Sequence, residues 1–194
     1  MLINTAWLGD QIEQTFGPVF STNVSITYSH EGRDFGAALE TAGGIVRALP
    51  LLDEVFWVLA GDVFAPEFEF TQTAVERFKA SGKLAHLWLV PNPDHNLRGD
   101  FGLSPDGLAL NVPKDAGHVM YTYSTIGLYR KSFFEPPFCD IPVGNPLGVK
   151  ASLAPLLRGA MDAGQVSAEI YKRQWTDVGT PERLKFLNNG ENTP

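Results

Sequence analysis

The sequence predicts an α/β fold built on a mostly parallel β-sheet. Apolar segments rich in β-forming residues alternate with amphipathic helical segments, as where the helix TQTAVERFKASG precedes the strand LAHLWLVPN at residues 84–92. Helices of this length between strands are typical of βαβ units, whose strands are parallel. The 194 residues, 44% of them hydrophobic, are also enough for one domain with a proper core.

The first half of the chain alternates between predicted strands and helices. LINTAWL is a predicted strand, and LGDQIEQTFG is a helix that its final glycine ends. VSITYS at residues 24–29 is the next strand, and LETAGGIVRALPLL is a helix with Ile45, Val46 and Leu49 facing inward. VFWVLAGD follows as a further strand, so the pattern of a parallel sheet continues.

The second half predicts an antiparallel part and two more helices. GDFGLSPDGLALNV alternates around a Pro-Asp-Gly turn, which indicates a hairpin, and residues 118–130 form another strand. Residues 132–149 are loop-like, and SLAPLLRGAMDAG is a helix. VSAEIYKRQWTDVG is a predicted strand that ends in Asp177, followed by a helix with Thr180 as N-cap and Pro181 at its first position.

Composition excludes several classes of function. The net charge is −7 and no basic cluster occurs, which argues against a nucleic-acid surface. Cys139 is the only cysteine, so disulfides within the chain and cysteine-cluster zinc sites are excluded. No apolar run approaches membrane-spanning length, and the first residues lack the features of a signal peptide, so a cytoplasmic protein is expected.

Two acidic residues follow apolar or aromatic runs. Asp62 comes after VFWVLAG, and Asp177 closes the predicted strand near the carboxyl terminus. If both strands belong to one parallel sheet, their carboxyl ends share an edge, where ligands gather. Two carboxylates meeting there would repel unless a cation joined them, and oxygen ligands of this kind suit Mg²⁺. For each acid alone, a role in a turn remains an equally good interpretation.

Other candidates carry weaker signals. Gly43 and Gly44 lie where a helix begins, so a ligand could approach the backbone amides and the helix dipole there, or the glycines could simply relieve a tight turn. Asp100 lies in the loop LRGDFG and could face a substrate, although loop aspartates mostly form turns. The four histidines are scattered without the spacing of metal ligands.

Six segments in matching order span nearly the whole chain and resemble the sugar-phosphate nucleotidyltransferases. They are INTAWLGDQIE, LETAGGIVRALPLL, LAGDVF, LVPNPDHNLRGDFGL, LAPLLRGAM and WTDVGTPERL. The resemblance implies a Rossmann-like, mostly parallel sheet with a small antiparallel part. It also implies transfer of a nucleotidyl group, with UTP as the expected donor and a sugar 1-phosphate as the acceptor.

The resemblance implies roles for residues near the reacting phosphates. The acids of the family's GD and DVGT motifs hold Mg²⁺, and here they are Asp62 and Asp177. The acid of GDF, here Asp100, is implied to contact the sugar phosphate, and Lys150 to add positive charge to that phosphate. The residue before GD is commonly Asn in the family and is Ala60 here, so one polar contact to the nucleotide is absent.

The resemblance also implies a segment that lies against the nucleotide base. The family motif ETGGG corresponds to ETAGG here, which places Glu40, Thr41, Gly43 and Gly44 at the nucleotide. Ala42 replaces the first glycine of the triplet, and its methyl group would affect any ligand that approaches the backbone closely.

One part of the family pattern does not occur in these 194 residues. The family begins with a strand, a Gly-rich loop of the type GxGxRxxPxT and a lysine in a TPKP-like segment, which together hold the triphosphate and offset its charge. We therefore expect residues 1–194 to form a single nucleotidyltransferase-like domain, truncated at its amino end, that is a poor catalyst alone.

Two alternatives to that enzyme remain open at the level of sequence. A truncated or degenerate copy could bind a nucleotide or sugar phosphate without catalysis. A glycosyltransferase that uses a nucleotide sugar could be built on a similar sheet, although such enzymes usually present Asp-x-Asp and GDVF offers one acid.

Overall fold

A computed structural model describes residues 1–113 and 117–189 of the chain. The strands of this part are β1 Leu2–Thr5, β2 Val19–Ser21, β3 Val24–Ser25, β4 Thr27–His30, β5 Val55–Val58, β6 Val63–Phe64, β7 Ala85–Val90, β8 Phe101–Leu103, β9 Ala109–Leu110, β10 Met120–Arg130, β11 Val166–Ile170 and β12 Thr176–Asp177.

Five of the six helices in the described part lie where the sequence predicts helical segments, whereas α2 (Glu31–Phe35) replaces what was expected to be a loop. The six helices are α1 Gly9–Phe16, α2 Glu31–Phe35, α3 Glu40–Ala48, α4 Gln72–Ser81, α5 Leu153–Asp162 and α6 Pro181–Asn188, with short 3₁₀ turns at Leu49–Leu51, Asp94–Asn96 and Lys131–Phe134. The predicted cap of α6 is present, because the Thr180 hydroxyl accepts a hydrogen bond from the amide of Arg183 at 3.3 Å.

The contacts divide the chain into two compact units. The first unit consists of Met1–Glu54 and Lys131–Leu157, and the second consists of Val55–Arg130 and the chain from Arg158 onward. The interpretation of residues 1–194 as one nucleotidyltransferase-like domain stays a prediction.

In the first unit, a short parallel pair and the helix α3 carry the nucleotide motif. Strand β1 pairs with β4 in parallel, while β2 and β3 form a small antiparallel pair. Helix α3 buries Ile45 and Val46, and Leu49 directly after it is buried as well, as its apolar spacing predicts. The helix therefore holds the ETAGG segment rigidly against the unit's own core.

The α/β fold is confirmed, and the second unit is built on a mixed six-stranded sheet. Strands β5, β7, β8 and β11 share one direction, and the long strand β10 runs antiparallel to β5, β7 and β8. The predicted hairpin is present as β8 and β9. Five buried residues form a core on this sheet, namely Val55, Phe78, Trp88, Ile126 and Leu128.

Two strands are shorter than the sequence predicted. The segment VSAEIYKRQWTD is two strands, because β11 loses its partner where β7 ends before Pro91, and a proline has no amide to continue a ladder. The segment VFWVLAGD stops at Val58, because β10 shifts register between Tyr123 and Gly127, with Thr125 at a positive φ of 64°. Asp62 and Asp177 thus lie beyond β5 and β11.

No helix in residues 1–113 and 117–189 is both long enough and apolar enough to cross a bilayer.

A buried histidine on the sheet makes the second unit sensitive to acid. His86 Nδ1 lies 2.8 Å from the Ser167 hydroxyl on the neighbouring strand, and its other nitrogen is buried without a hydrogen-bond partner among the described residues. Burial lowers the pKa of His86 from 6.5 to about 4. The negative charge of Glu169 raises this pKa in part, and the positive charge of Arg77 lowers it further. His86 is therefore neutral in the native state at pH 5.

We expect the free energy of unfolding to fall as the pH drops from 6.5 towards 4. In this window the unfolded chain binds a proton at His86 that the native state does not, which costs at most about 3 kcal/mol. Urea unfolding at pH 7 and pH 4.5 should show a smaller acid-induced loss in His86→Gln than in the unsubstituted chain. The exposed His118→Gln is the control, and an unchanged pH slope in His86→Gln would contradict the assignment.

Candidate active site

The two acids predicted to lie together meet through a short antiparallel ribbon in the second unit. Strands β6 and β12 pair so that Asp177 is opposite Val63, and the amide of Val178 donates to the carbonyl of Asp62 at 2.7 Å. The expected reason was a shared edge of parallel strands. Parallel strands alone do not bring the acids together. The β6–β12 ribbon, which lies beyond the ends of β5 and β11, does so.

The carboxylates of the two acids converge on Gly179. A Cβ atom added to this glycine would lie 3.0 Å from Asp62 Oδ2 and 3.4 Å from Asp177 Oδ1, so the two oxygens are separated by no more than the sum of these distances. Asp62 is exposed, whereas the side chain of Asp177 is only 18% exposed. The arrangement places two negative charges beside one small, accessible space.

Asp177 has two cationic or polar neighbours that sequence reasoning missed. His95 Nε2 lies 2.7 Å from Asp177 Oδ2, and Arg183 Nη2 lies 2.5 Å from Asp177 Oδ1. Arg183 is the third residue of α6, so the predicted Thr180 cap and DVGT motif could have suggested that its side chain reaches back to the acid. His95 had no such signal, because it depends on how the loop after β7 folds.

The acid pair fits a divalent cation of the Mg²⁺ kind. The described residues contain no group of three or more His, Cys, Asp or Glu side chains placed to hold a metal ion. Mg²⁺, however, is commonly bound by one or two carboxylates together with waters and substrate phosphates. Asp62 and Asp177 supply such carboxylates. Their role as metal ligands stays a prediction.

A cavity of about 470 Å³ lies at the carboxyl ends of β7 and β11. Its lining includes His95, Lys172, Trp175, Arg183 and Phe186, which combine basic groups with aromatic rings. This position, outside the carboxyl ends of two parallel strands, is where open α/β sheets bind ligands.

Asp100 has a structural role in the loop that follows β7. One of its carboxylate oxygens accepts from the Asn96 amide group at 3.1 Å, and the other accepts from the backbone amide of Tyr123 at 2.9 Å. Both oxygens are thus engaged within the protein. The carboxylate therefore supports the loop, and its direct contact with the sugar phosphate stays a prediction.

Replacing Asp100 by alanine is expected to lower the free energy of unfolding by about 1–3 kcal/mol, because the Tyr123 amide loses its acceptor. The measurement is urea unfolding, with the exposed Asp94→Ala in the same loop as control. If Asp100→Ala lost sugar-phosphate binding without any loss of stability, a direct contact of Asp100 with the sugar phosphate would be supported instead.

The start of helix α3 differs from the expectation of free backbone amides. The amides of Ala42 and Gly43 both donate to the carbonyl of Ala151, at 2.9 and 3.1 Å. A fully buried Asn145 ties the same loop down, since its side-chain amide donates to the carbonyls of Gly43 and Val149. These amides of the helix are therefore used inside the first unit.

The two motif glycines permit close packing of the chain on itself. A Cβ at Gly43 would lie 2.5 Å from the Val149 carbonyl oxygen, and one at Gly44 would lie 2.4 Å from a Glu31 carboxylate oxygen. The sequence left open a close approach by a ligand or the relief of a tight turn, and the structure shows a close approach made by the protein itself. Contact of these glycines with a nucleotide stays a prediction.

The remaining predicted residues lie on the surface of the first unit. Glu40 begins α3 with a positive φ of 59° and accepts a hydrogen bond from the Ser152 hydroxyl. Thr41 and Lys150 are exposed. Of the predicted site, Asp62, Asp177 and Asp100 belong to the second unit, and the nucleotide segment and Lys150 to the first.

Comparison with known proteins shows similarity to a curated enzyme and to several solved folds. No protein-family model matches the chain. It is 42% identical over 191 residues to the N-acetylmuramate α-1-phosphate uridylyltransferase of Neisseria meningitidis serogroup B, which covers 95% of this chain and 75% of that protein.

Solved structures share the fold at low sequence identity. A protein described as a glucose-1-phosphate thymidylyltransferase from Bacillus anthracis superposes with a TM-score of 0.72 at 19% identity, covering 98% of this chain and 75% of that one. The inositol-1-phosphate CTP transferase from T. maritima superposes with a TM-score of 0.63 at 14% identity, covering 98% and 74%.

Proposed function

The chain belongs to the N-acetylmuramate α-1-phosphate uridylyltransferase family of sugar-phosphate nucleotidyltransferases, and from this membership we propose that it transfers UMP from UTP to N-acetylmuramate 1-phosphate. The observation that carries the proposal is the convergence of Asp62 and Asp177 on Gly179. A pair of carboxylates beside open space suits an ion that also binds phosphate oxygens. The activity of the relative supplies the nucleotidyl group and the sugar.

The reaction is an in-line displacement at the α-phosphorus of UTP. An oxygen of the sugar 1-phosphate forms a bond to that phosphorus, the bond to the bridging oxygen of the β-phosphate breaks, and pyrophosphate leaves with the electron pair. Asp62 and Asp177 would hold Mg²⁺, which when bound neutralises charge on the phosphates. Catalysis then consists of positioning and electrostatic stabilisation, and it needs no covalent intermediate.

The residues of the first unit are proposed to bind the nucleotide and the acceptor. Exposed Glu40 and Thr41, together with the backbone of Gly43 and Gly44, are proposed to contact the nucleotide, and exposed Lys150 the sugar phosphate. The support is their match to the family motif and the accessibility of three of their side chains. The tight packing of the glycines gives that surface a defined shape.

The proposed biological setting is recycling of cell-wall sugars in the cytoplasm. UDP-N-acetylmuramate, the product of the proposed reaction, is a precursor sugar nucleotide, and the acceptor is a sugar found in the cell wall. The activity of the relative supports this setting.

The experiment is an assay of pyrophosphate release with Mg²⁺ and pairs of substrates. It uses the 194-residue chain and, in parallel, the chain extended by any in-frame sequence found upstream. UTP with N-acetylmuramate 1-phosphate should give UDP-N-acetylmuramate, and CTP or N-acetylglucosamine 1-phosphate should be poorer substrates. EDTA should abolish the reaction. Activity with another nucleotide and sugar phosphate, but not with this pair, would overturn the substrate assignment.

A further inference from the structure

We propose that Arg183 is the built-in counter-ion of the acid pair, which pairs with Asp177 beside Asp62 in the absence of metal and gives way when a divalent cation binds. The first part stands on the geometry of the second unit alone. The second part, displacement by metal, rests on the proposed function. Arg183 is thus a positioning residue for the site.

Three charged atoms surround one point beside the backbone. The position of a Gly179 Cβ would be 3.0 Å from Asp62 Oδ2, 3.1 Å from Arg183 Nη2 and 3.4 Å from Asp177 Oδ1. The guanidinium also contacts Asp177 Oδ1 directly, at 2.5 Å. The Asp177 oxygen that borders the same point as Asp62 Oδ2 is therefore the one that Arg183 neutralises, which offsets the repulsion between the two carboxylates.

Other groups around Asp177 do not replace this contact. His95 binds the opposite oxygen, Asp177 Oδ2. The amide of Gly179 reaches Asp177 Oδ1 only at 3.4 Å. The amino end of α6 favours negative charge nearby, but it carries no full positive charge. Arg183 is consequently the full positive charge that pairs with Asp177 Oδ1 beside Asp62.

The guanidinium is held in a way that allows its release. Arg183 Nε is buried and has no hydrogen-bond partner among the described residues. A buried donor without an acceptor costs free energy, so the contact with Asp177 is made at the expense of this nitrogen. When a cation takes over the two carboxylates, the side chain can turn and satisfy Nε with water. The ion pair and the metal therefore compete for the same carboxylate oxygen.

The first test measures thermal unfolding of the 194-residue chain in EDTA. Arg183→Gln should lower the Tm by about 2–4 °C or more, and Arg183→Lys should lower it less. Adding Asp62→Asn to Arg183→Gln should raise the Tm again, because one of the two repelling charges is gone. Asp62→Asn alone should not raise the Tm above that of the unsubstituted chain. The matched control is Arg173→Gln, which removes an exposed ion pair with Glu67 in the same unit.

The second test titrates Mn²⁺ into the metal-free chain and follows free Mn²⁺ by electron paramagnetic resonance. Arg183→Gln should bind Mn²⁺ more tightly than the unsubstituted chain, by a factor on the order of ten, because the competing cation is absent. Arg173→Gln should bind as the unsubstituted chain does.

The two tests separate this inference from the proposed function. If Asp62→Asn fails to rescue Arg183→Gln in EDTA, the counter-ion role is overturned. If the unsubstituted chain binds Mn²⁺ and Arg183→Gln binds it no more tightly, displacement is overturned. If rescue occurs but neither protein binds Mn²⁺, the counter-ion role stands, and the metal role in the proposed function fails together with displacement.

Discussion

Replacing Asp62 by asparagine is expected to lower the rate of UDP-sugar formation by about a hundred- to a thousandfold. A neutral amide is a poor ligand for Mg²⁺, and Asp62 is one of the two carboxylates that converge on Gly179. Because Asp62 is exposed and its side chain supports no buried group, the protein should stay folded. The measurement is kcat/KM at several Mg²⁺ concentrations, in whichever preparation transfers UMP.

The control for this prediction is Asp106→Asn in the hairpin turn, where asparagine is as suitable as aspartate. It should retain normal kcat/KM. If Asp62→Asn showed near-normal turnover with the same Mg²⁺ dependence, Asp62 would have no part in the mechanism.

Replacing Gly43 by alanine is expected to lower the free energy of unfolding by about 3 kcal/mol or more. The new methyl group would lie 2.5 Å from the Val149 carbonyl oxygen and 3.2 Å from the Ala151 amide nitrogen, both of them backbone atoms that no rotamer change can move. Alanine's better helix propensity, about 1 kcal/mol, offsets only part of this cost. Urea unfolding provides the measurement.

The matched control is Gly61→Ala, which should change stability little. A Cβ there meets no atom of the described residues within 4 Å, and Gly61 lies outside any helix. If Gly43→Ala were as stable as Gly61→Ala, the strap formed by Val149 and Ala151 over α3 would be looser than the structure shows.

Much of the fold follows from signals that are local in the sequence. The cap at Thr180 with Pro181, the Pro-Asp-Gly turn before β9 and the apolar spacing of α3 each depend on a few neighbouring residues. These elements appear where the sequence predicts them.

The parts that could not be predicted depend on contacts between distant segments. The end of β5 is set by the bulge at Thr125, a non-glycine residue at positive φ that carries no sequence signature. The two-residue strands β6 and β12 are too short for any periodicity to reveal. The interactions of His95 and Arg183 with Asp177 likewise depend on tertiary packing.

The glycine motif shows a different limit. The pair of glycines at the helix start left two interpretations open, a ligand close to the backbone or the relief of a tight turn. The sequence does not say what approaches, and in the structure it is the loop around Val149 and Ala151.

The shortness of the ribbon that joins the two acids has a consequence for amide hydrogen exchange. Only two residue pairs, Thr176 with Phe64 and Asp177 with Val63, form the ladder between β6 and β12, whereas β10 pairs on both sides. Local opening of so few hydrogen bonds requires much less free energy than opening the sheet. The amide of Val178 should therefore exchange with deuterium sooner than that of Leu128 in β10. The spacing of Asp62 and Asp177 can then change while the sheet beneath stays closed.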